Sequence, residues 1–294
     1  MRRVALHRLR RAGACALAAL GTLTAWSARA ADWATPGLDA THTRRSAERS
    51  GARFDDGRWA FMPEGGAPSL ASPVVSDGFL VSAALDGTVS ALEAESGRIV
   101  WRAVLGSAVQ GTPAAASGRV FVPTAGNTIV ALGLATGAPL WTVDLGGMNL
   151  SSPTPLDADI VVSAGFPRRQ VVRLAAATGQ VIWRSPEIMG QFSNTSPAID
   201  GGLVVVGTNG GHYYAFDAAT GAARWDYQAD GMVHLAAPLI AGGRVYLAGG
   251  DASDRVHAVD AATGEPVAGW PVSLPTPDPD LPGTRLDRHR AVSS

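Results

Sequence analysis

The segment AFDAATGAARW, residues 215–225, decides how this chain is read, because its last ten residues recur in step along the sequence. The other copies are LEAESGRIVW ending at Trp101, LGLATGAPLW at Trp141, LAAATGQVIW at Trp183 and a longer VDAATGEPVAGW at Trp270. With Trp225 these tryptophans stand 40, 42, 42 and 45 residues apart, and Trp59 precedes Trp101 by 42. A second marker keeps the same register: Ser72-Pro73, Thr112-Pro113, Ser152-Pro153, Ser196-Pro197 and Ala237-Pro238. Two independent markers sharing one period of this length mean an internal repeat.

Each unit predicts four short strands, as the first copy illustrates. An inner strand lies near Pro73 to Val75 and a second at Phe79 to Ala83, followed by Asp86-Gly87, a pair suited to a tight hairpin needing positive φ. Val89 to Leu92 form the third strand, Ser96-Gly97 turns the chain, and Ile99 to Val104 form the fourth. Four strands in a period of about 40 residues describe a propeller blade, so the expected fold is an all-β propeller of the broad WD40-like kind. One tryptophan per blade, on an outer strand, is read as structural: its flat apolar face wedges against the next blade and its N–H finds a partner there.

The phrase A-x-D-A-x-T-G-x-x-x-W, clearest at 215–225, and the preceding SPAIDGGLVVVGTNGGHYYAFD resemble the pyrroloquinoline-quinone (PQQ) repeat. That repeat is shared by quinoprotein dehydrogenases and by outer-membrane assembly scaffolds of the BamB type. The opening DWATPGLDATHTR is similar to the start of mature proteins in this family, and the resemblance runs from about Asp32 to Leu274. It implies one of two functions. The favoured one is a non-catalytic scaffold that binds a protein partner. The alternative is a PQQ- and calcium-dependent oxidoreductase of alcohols or sugars, or a fragment of one. No position matches the family's catalytic aspartate or its calcium ligands, and the adjacent cysteines and C-x-x-C-H of many such enzymes are absent. Catalytic and metal residues are therefore none, and cofactor-binding residues are left unassigned.

Trp59, within RWAF, reads as the fourth strand of a blade lacking its first three. The C-terminus does not supply them, since residues 275–294 are rich in proline and charge and are expected to be a disordered tail. Five complete units and one orphan strand suggest a truncated product, an incomplete gene or a chain that closes with another copy through unpaired blade edges. A small closed five-bladed ring is the remaining option.

Residues 1–30 read as a signal peptide: arginines at 2, 3, 8, 10 and 11, a small apolar stretch from Ala12 to Trp26, and Ala28-Arg29-Ala30 before the cleavage point. The apolar stretch is too short to span a bilayer. Export to the periplasm or outside the cell follows, by a route left open. Cys15, the single cysteine, begins the apolar stretch instead of following it, which argues against lipidation. Removing residues 1–30 takes away six arginines and no acid, leaving a net charge of −7, unsuited to nucleic acid or anionic membrane. No lysine occurs anywhere, which excludes Schiff-base chemistry and a phosphate-loop lysine.

Residues just before each Ser/Thr-Pro marker, Gln110, Asn149, Asn194 and His234, are placed to reach the central funnel. The favoured reading is variable polar residues lining a solvated channel. Arg173 stands where other units have Ala91, Ala131, Ala215 and Ala258; it is read either as locally compensated or, with Arg168 and Arg169, as a basic spot. His212, Tyr213 and Tyr214 share a strand, with alternate side chains packed, and His257 is read as a satisfied strand histidine. Asp251 and Asp254 match no calcium loop. The glycines of GTNGG serve a turn, with no helix following as a phosphate site would need.

Overall fold

The computed structural model describes residues 34–35, 39–41, 59–190, 196–231, 236–249 and 253–274, all within one compact unit, Ala31–Ser294. The predicted signal peptide and the 275–294 tail lie outside the described residues.

Five four-stranded antiparallel sheets follow one another, each in simple meander order. Blade 1 holds β1 (Val74–Ser76), β2 (Phe79–Ala83), β3 (Thr88–Glu93) and β4 (Ile99–Val104). Blade 2 holds β5 (Ala114–Ala116), β6 (Arg119–Pro123), β7 (Thr128–Gly133) and β8 (Pro139–Asp144). Blade 3 holds β9 (Thr154–Leu156), β10 (Asp159–Ala164), β11 (Gln170–Ala175) and β12 (Val181–Arg184). Blade 4 holds β13 (Ala198–Asp200), β14 (Leu203–Gly207), β15 (His212–Asp217) and β16 (Ala223–Gln228). Blade 5 holds β17 (Leu239–Ala241), β18 (Arg244–Ala248), β19 (Arg255–Asp260) and β20 (Val272–Ser273). The inner strand starts at Val74, one residue later than predicted, because Pro73 has no N–H for a ladder. Blades 1 to 4 each carry a register shift at the same place on the third strand, after Ala91, Ala131, Arg173 and Ala215.

The cores lie between blades, not within them. Leu203, Val205, Tyr213 and Ala215 of blade 4 pack on Ile240, Val245, Leu247 and Val259 of blade 5, and equivalent clusters join the earlier pairs. Each contact is closed at its outer end by a tryptophan. Trp101 Nε1 donates to Leu134 O at 2.7 Å, Trp141 to Ala176 O at 3.0 Å, Trp183 to Ala218 O at 3.0 Å and Trp225 to Ala261 O at 2.9 Å. In every case the acceptor belongs to the next blade, just before its T-G turn. The turn glycine accommodates the incoming ring: a Cβ on Gly137 would lie 2.5 Å from Trp101, and one on Gly221 2.6 Å from Trp183. The glycine thus serves the preceding blade's indole as well as its own positive-φ turn.

Trp59 makes the same contact on blade 1, donating to Ala94 O at 3.2 Å and covering Gly97. Its segment is irregular, however, not the predicted strand, and a single 3-10 turn, Glu64–Gly66, follows. Among the described residues no third strand lies beside it to take its backbone hydrogen bonds, so only the side chain docks.

Inner strands β1, β5, β9, β13 and β17 meet in succession, but β17 does not meet β1, so the described blades form an open arc instead of a closed five-bladed ring. Blade 5 consequently shows what a covered face looks like uncovered. Tyr246 stands in the register of Val81, Phe121, Val161 and Val205, all fully buried, yet is itself partly exposed. Leu274, four residues after its tryptophan like the buried Leu145, is 55% exposed. Trp270 meets Tyr246 edge-on at 5.5 Å, and no described carbonyl accepts its N–H. Among the described residues no helix is long and apolar enough to cross a membrane.

Replacing Trp101 by alanine removes a buried indole and its inter-blade bond and is expected to cost about 3–5 kcal/mol. Trp270→Ala removes a partly exposed ring without such a bond and is expected to cost no more than about half of that. Equal shifts of the two urea midpoints would refute the inter-blade role of the tryptophan.

Candidate functional site

In a propeller the inner strands leave one edge facing the axis, a row of unpaired backbone groups. In this chain the edge is served by the protein's own N-terminal segment. Ala34 O accepts from Ala115 N of β5 at 2.9 Å, Ala40 O from Ile199 N of β13 at 2.6 Å, and Thr41 O from Ile240 N of β17 at 3.1 Å. The passing segment is held by Asp39, whose Oδ1 accepts from Thr41 N at 3.0 Å and Thr41 Oγ1 at 2.7 Å. Ala34 packs on the core between blades 1 and 2, and Ala40 on the core between blades 3 and 4.

The Ser/Thr-Pro markers have a structural role that the sequence did not reveal. Thr112 Oγ1 accepts from Ser72 N and Ser152 Oγ accepts from Thr112 N, both at 2.9 Å, while Thr154 Oγ1 donates to Pro197 O at 2.6 Å. Each hydroxyl ties one blade to its neighbour beside the axis. Of the residues preceding the markers, Gln110 is half-buried and Asn149 is fully buried, with its amide oriented toward Ser151 O and Ser163 O, both at 3.2 Å. Asn194 and His234 lie outside the described residues. No converging polar set arises from the described ones.

A quinone with its calcium ion needs acidic and amide groups directed at one point. The described residues at the axis do not fit that demand. The Asp39 carboxylate is engaged by Thr41 and the Asn149 amide is engaged within blade 3. Among the described residues no group of three His, Cys, Asp or Glu could hold a metal ion. Asp254 offers its backbone oxygen to Leu274 N, and Asp251 lies outside the described residues.

Arg173 is paired. Its Nε and Nη2 reach Asp159 Oδ2 at 2.8 and 2.5 Å, and its Nη1 donates to Ala218 O at 2.7 Å, the carbonyl that also receives Trp183 Nε1. It therefore braces the contact between blades 3 and 4 and does not join Arg168 and Arg169 in a basic spot. Tyr213 is fully buried and donates to Ala248 O at 3.1 Å; burial pushes its hydroxyl pKa well up. Gly207 is required by this ring, since a Cβ there would fall 2.8 Å from Tyr213. His212 and Tyr214 meet at 5.3 Å with tilted rings on the other face of the same strand, where Tyr214 packs on the core between blades 3 and 4, and Asp226 Oδ2 lies 3.5 Å from His212 Nε2.

His257 joins two blades. The Tyr227 hydroxyl, whose pKa burial raises, lies 2.9 Å from His257 Nδ1, and the other ring nitrogen is Nε2. That nitrogen is buried and faces Asp230 Oδ2 at 3.5 Å, while Arg255 contacts the same carboxylate at 3.3 Å. Burial holds the His257 pKa below its ordinary 6.5; Asp230 opposes that lowering and Arg255 adds to it.

The whole architecture can be set beside known proteins. The family of the outer membrane protein assembly factor BamB matches residues 24–186 and 167–270. The chain belongs to the BamB family. The BamB of Moranella endobia (strain PCIT) is 27% identical over 199 residues, covering 62% of this chain and 48% of that protein. Quinohemoprotein alcohol dehydrogenase ADH IIB of Pseudomonas putida is 31% identical over 173 residues, covering 53% of this chain and 24% of the enzyme. In fold, the crystal structure of quinohemoprotein alcohol dehydrogenase from Comamonas testosteroni superposes with a TM-score of 0.70 at 18% identity, covering 86% of this chain and 50% of that one. The chain thus spans about half the length of the BamB relative and a quarter of the dehydrogenase relative.

Two outcomes test this BamB-family geometry. Ser152→Ala leaves the buried Thr112 N–H without its acceptor and is expected to cost about 1–3 kcal/mol in urea unfolding, whereas Ser72→Ala, on an exposed residue, changes stability by under about 0.5 kcal/mol. As pH falls below 6.5 the unfolded chain takes up a proton at His257 that the folded chain resists, so the folded state loses stability there. His257→Phe is expected to flatten that decline in a series of urea midpoints; an unchanged slope would assign it to other groups.

Proposed function

We propose that the chain is an exported, non-catalytic assembly scaffold that works in the periplasm and holds a protein partner on the loops and edges of its blades. Residues 1–30 act as the signal peptide in this reading, with cleavage after Ala30 leaving the axial residues Ala34, Ala40 and Thr41 on the mature chain. Membership in the BamB family supports the reading. The observation that carries it is the use made of the axis: among the described residues, the polar groups beside it hold blades together or bind the passing N-terminal segment. One fold serves both trades, so the choice rests on the site and not on the superposition.

The rival reading is an alcohol- or sugar-oxidising quinoprotein, which the resemblance to ADH IIB favours. Titration of the mature, calcium-supplied protein with pyrroloquinoline quinone, followed by absorbance and by dye reduction with a panel of alcohols and sugars, separates the two. The expected outcome is no saturable binding and no dye reduction by folded protein. Saturable binding with turnover would overturn the scaffold reading.

A further inference from the structure

Blade 3 departs from its neighbours at the connection between β10 and β11. Where blade 1 turns on Asp86-Gly87, blade 3 has Gly165-Phe166-Pro167-Arg168-Arg169. The loop is fixed by backbone bonds on both sides: Met148 N donates to Phe166 O at 3.1 Å, Gly165 N to Met148 O at 2.7 Å, and Ile188 N to Arg169 O at 3.0 Å. These bonds gather three apolar side chains that face solvent, Met148 at 45%, Phe166 at 55% and Met189 at 73% exposure. The Arg169 guanidinium lies 5.5 Å from the centre of the Phe166 ring.

Beside the loop is a cleft of about 340 Å³ lined by Asp144, Leu145, Gly146, Arg168, Gln170 and Arg184. Its polar groups are directed by local bonds. Arg184 Nη1 donates to Leu145 O at 3.2 Å, Gln170 Nε2 to Ser185 O at 2.9 Å, and Asp144 Oδ1 accepts from Gly146 N at 2.7 Å. Arg98, Arg173, Arg224 and Arg255 each meet a carboxylate. Among the described residues no carboxylate pairs with Arg168, Arg169 or Arg184. Three uncompensated guanidiniums on one rim, in a mature chain of net charge −7, make a local site for carboxylates.

We propose that this cleft and the Phe166 to Arg169 loop form a docking site for an acidic peptide segment of a partner protein, one carrying an apolar side chain next to its carboxylates. The inference rests on the scaffold reading and names the chemistry of its partner. Guanidiniums take the carboxylates in forked hydrogen bonds, and the Phe166, Met148 and Met189 surface takes the apolar side chain. A polyphosphate fits less well, because the flanking surface of Met148, Phe166 and Met189 is apolar.

The test uses the full mature protein and three labelled peptides followed by fluorescence anisotropy: one of Asp, Glu, Leu and Phe, one with the acids replaced by Arg, and one of Asp, Glu and Ser alone. The first is expected to bind saturably at about 0.15 M salt and more tightly at lower salt. The other two are expected to bind about tenfold more weakly or not at all. Arg168→Ser with Arg169→Ser, and separately Phe166→Ser, should each weaken the first peptide about tenfold, while Arg224→Ser on blade 4 leaves it unchanged. Circular dichroism on each variant reports folding. Absence of saturable binding by folded protein, equal binding of the Ser-containing peptide, or indifference to the blade 3 variants would each overturn the proposal. Quinone titration stays independent: failed peptide binding without quinone binding removes this surface and leaves the scaffold, whereas quinone turnover removes the scaffold itself.

Discussion

The fold depends on an indole lying over a glycine of the next blade. A four-stranded sheet this short cannot bury its own faces, so each blade is stable only against a neighbour. The tryptophan joins two requirements in one residue, covering apolar surface and closing a hydrogen bond to a carbonyl left free at the following turn. The geometry is directional, always from one blade to the next in sequence. Trp59 begins the series on blade 1, and the uncovered face of blade 5 is apolar because it is built to the same pattern as the four covered ones.

At the other end of each blade the constraint is polar. Three-residue inner strands offer little area to hold blades together, and their axial edges would be open to solvent. Hydroxyls of Thr112, Ser152 and Thr154 join adjacent blades beside the axis, and the carbonyls of Ala34, Ala40 and Thr41 accept from β5, β13 and β17. The blades are therefore fastened at both ends, by indoles outside and by hydroxyls and a passing chain inside. The same fastening uses the described polar groups beside the axis.

The repeat was legible because indole, turn glycine and proline marker are each enforced by contacts that recur once per blade. Strand bounds followed for the same reason: β2 and β4 occupy the residues their pattern predicts. What could not be read was any feature made between distant residues. Asn149 looks like a funnel residue in sequence, yet its amide finds Ser163 across a strand connection. Arg173 looks like an anomaly until Asp159, diagonally across on the neighbouring strand, supplies a carboxylate. The Tyr227, His257 and Asp230 contact brings together parts of two blades that no spacing rule links. The axial role of Ala34 to Thr41 had one local sign, an Asp two residues before a Thr, but nothing in it specified which strands would be met.

Departures from the repeat are informative because the repeat itself explains so much. Blade 3 carries several at once: an arginine in place of the small residue opposite its tryptophan, a fourth strand of only four residues, and a five-residue connection where its neighbours have four. The first is absorbed by structure, since Arg173 takes a carboxylate partner and a carbonyl of blade 4. The loop is different. Its backbone is tied to both neighbouring connections, so its conformation is set, yet its side chains turn Phe166, Arg168 and Arg169 outward. A loop tied on both sides that still presents an aromatic ring and guanidiniums to solvent is not explained by burial of those side chains. The complement of that exposed surface, in a mature chain of net charge −7, is the acidic, partly apolar segment proposed to dock there.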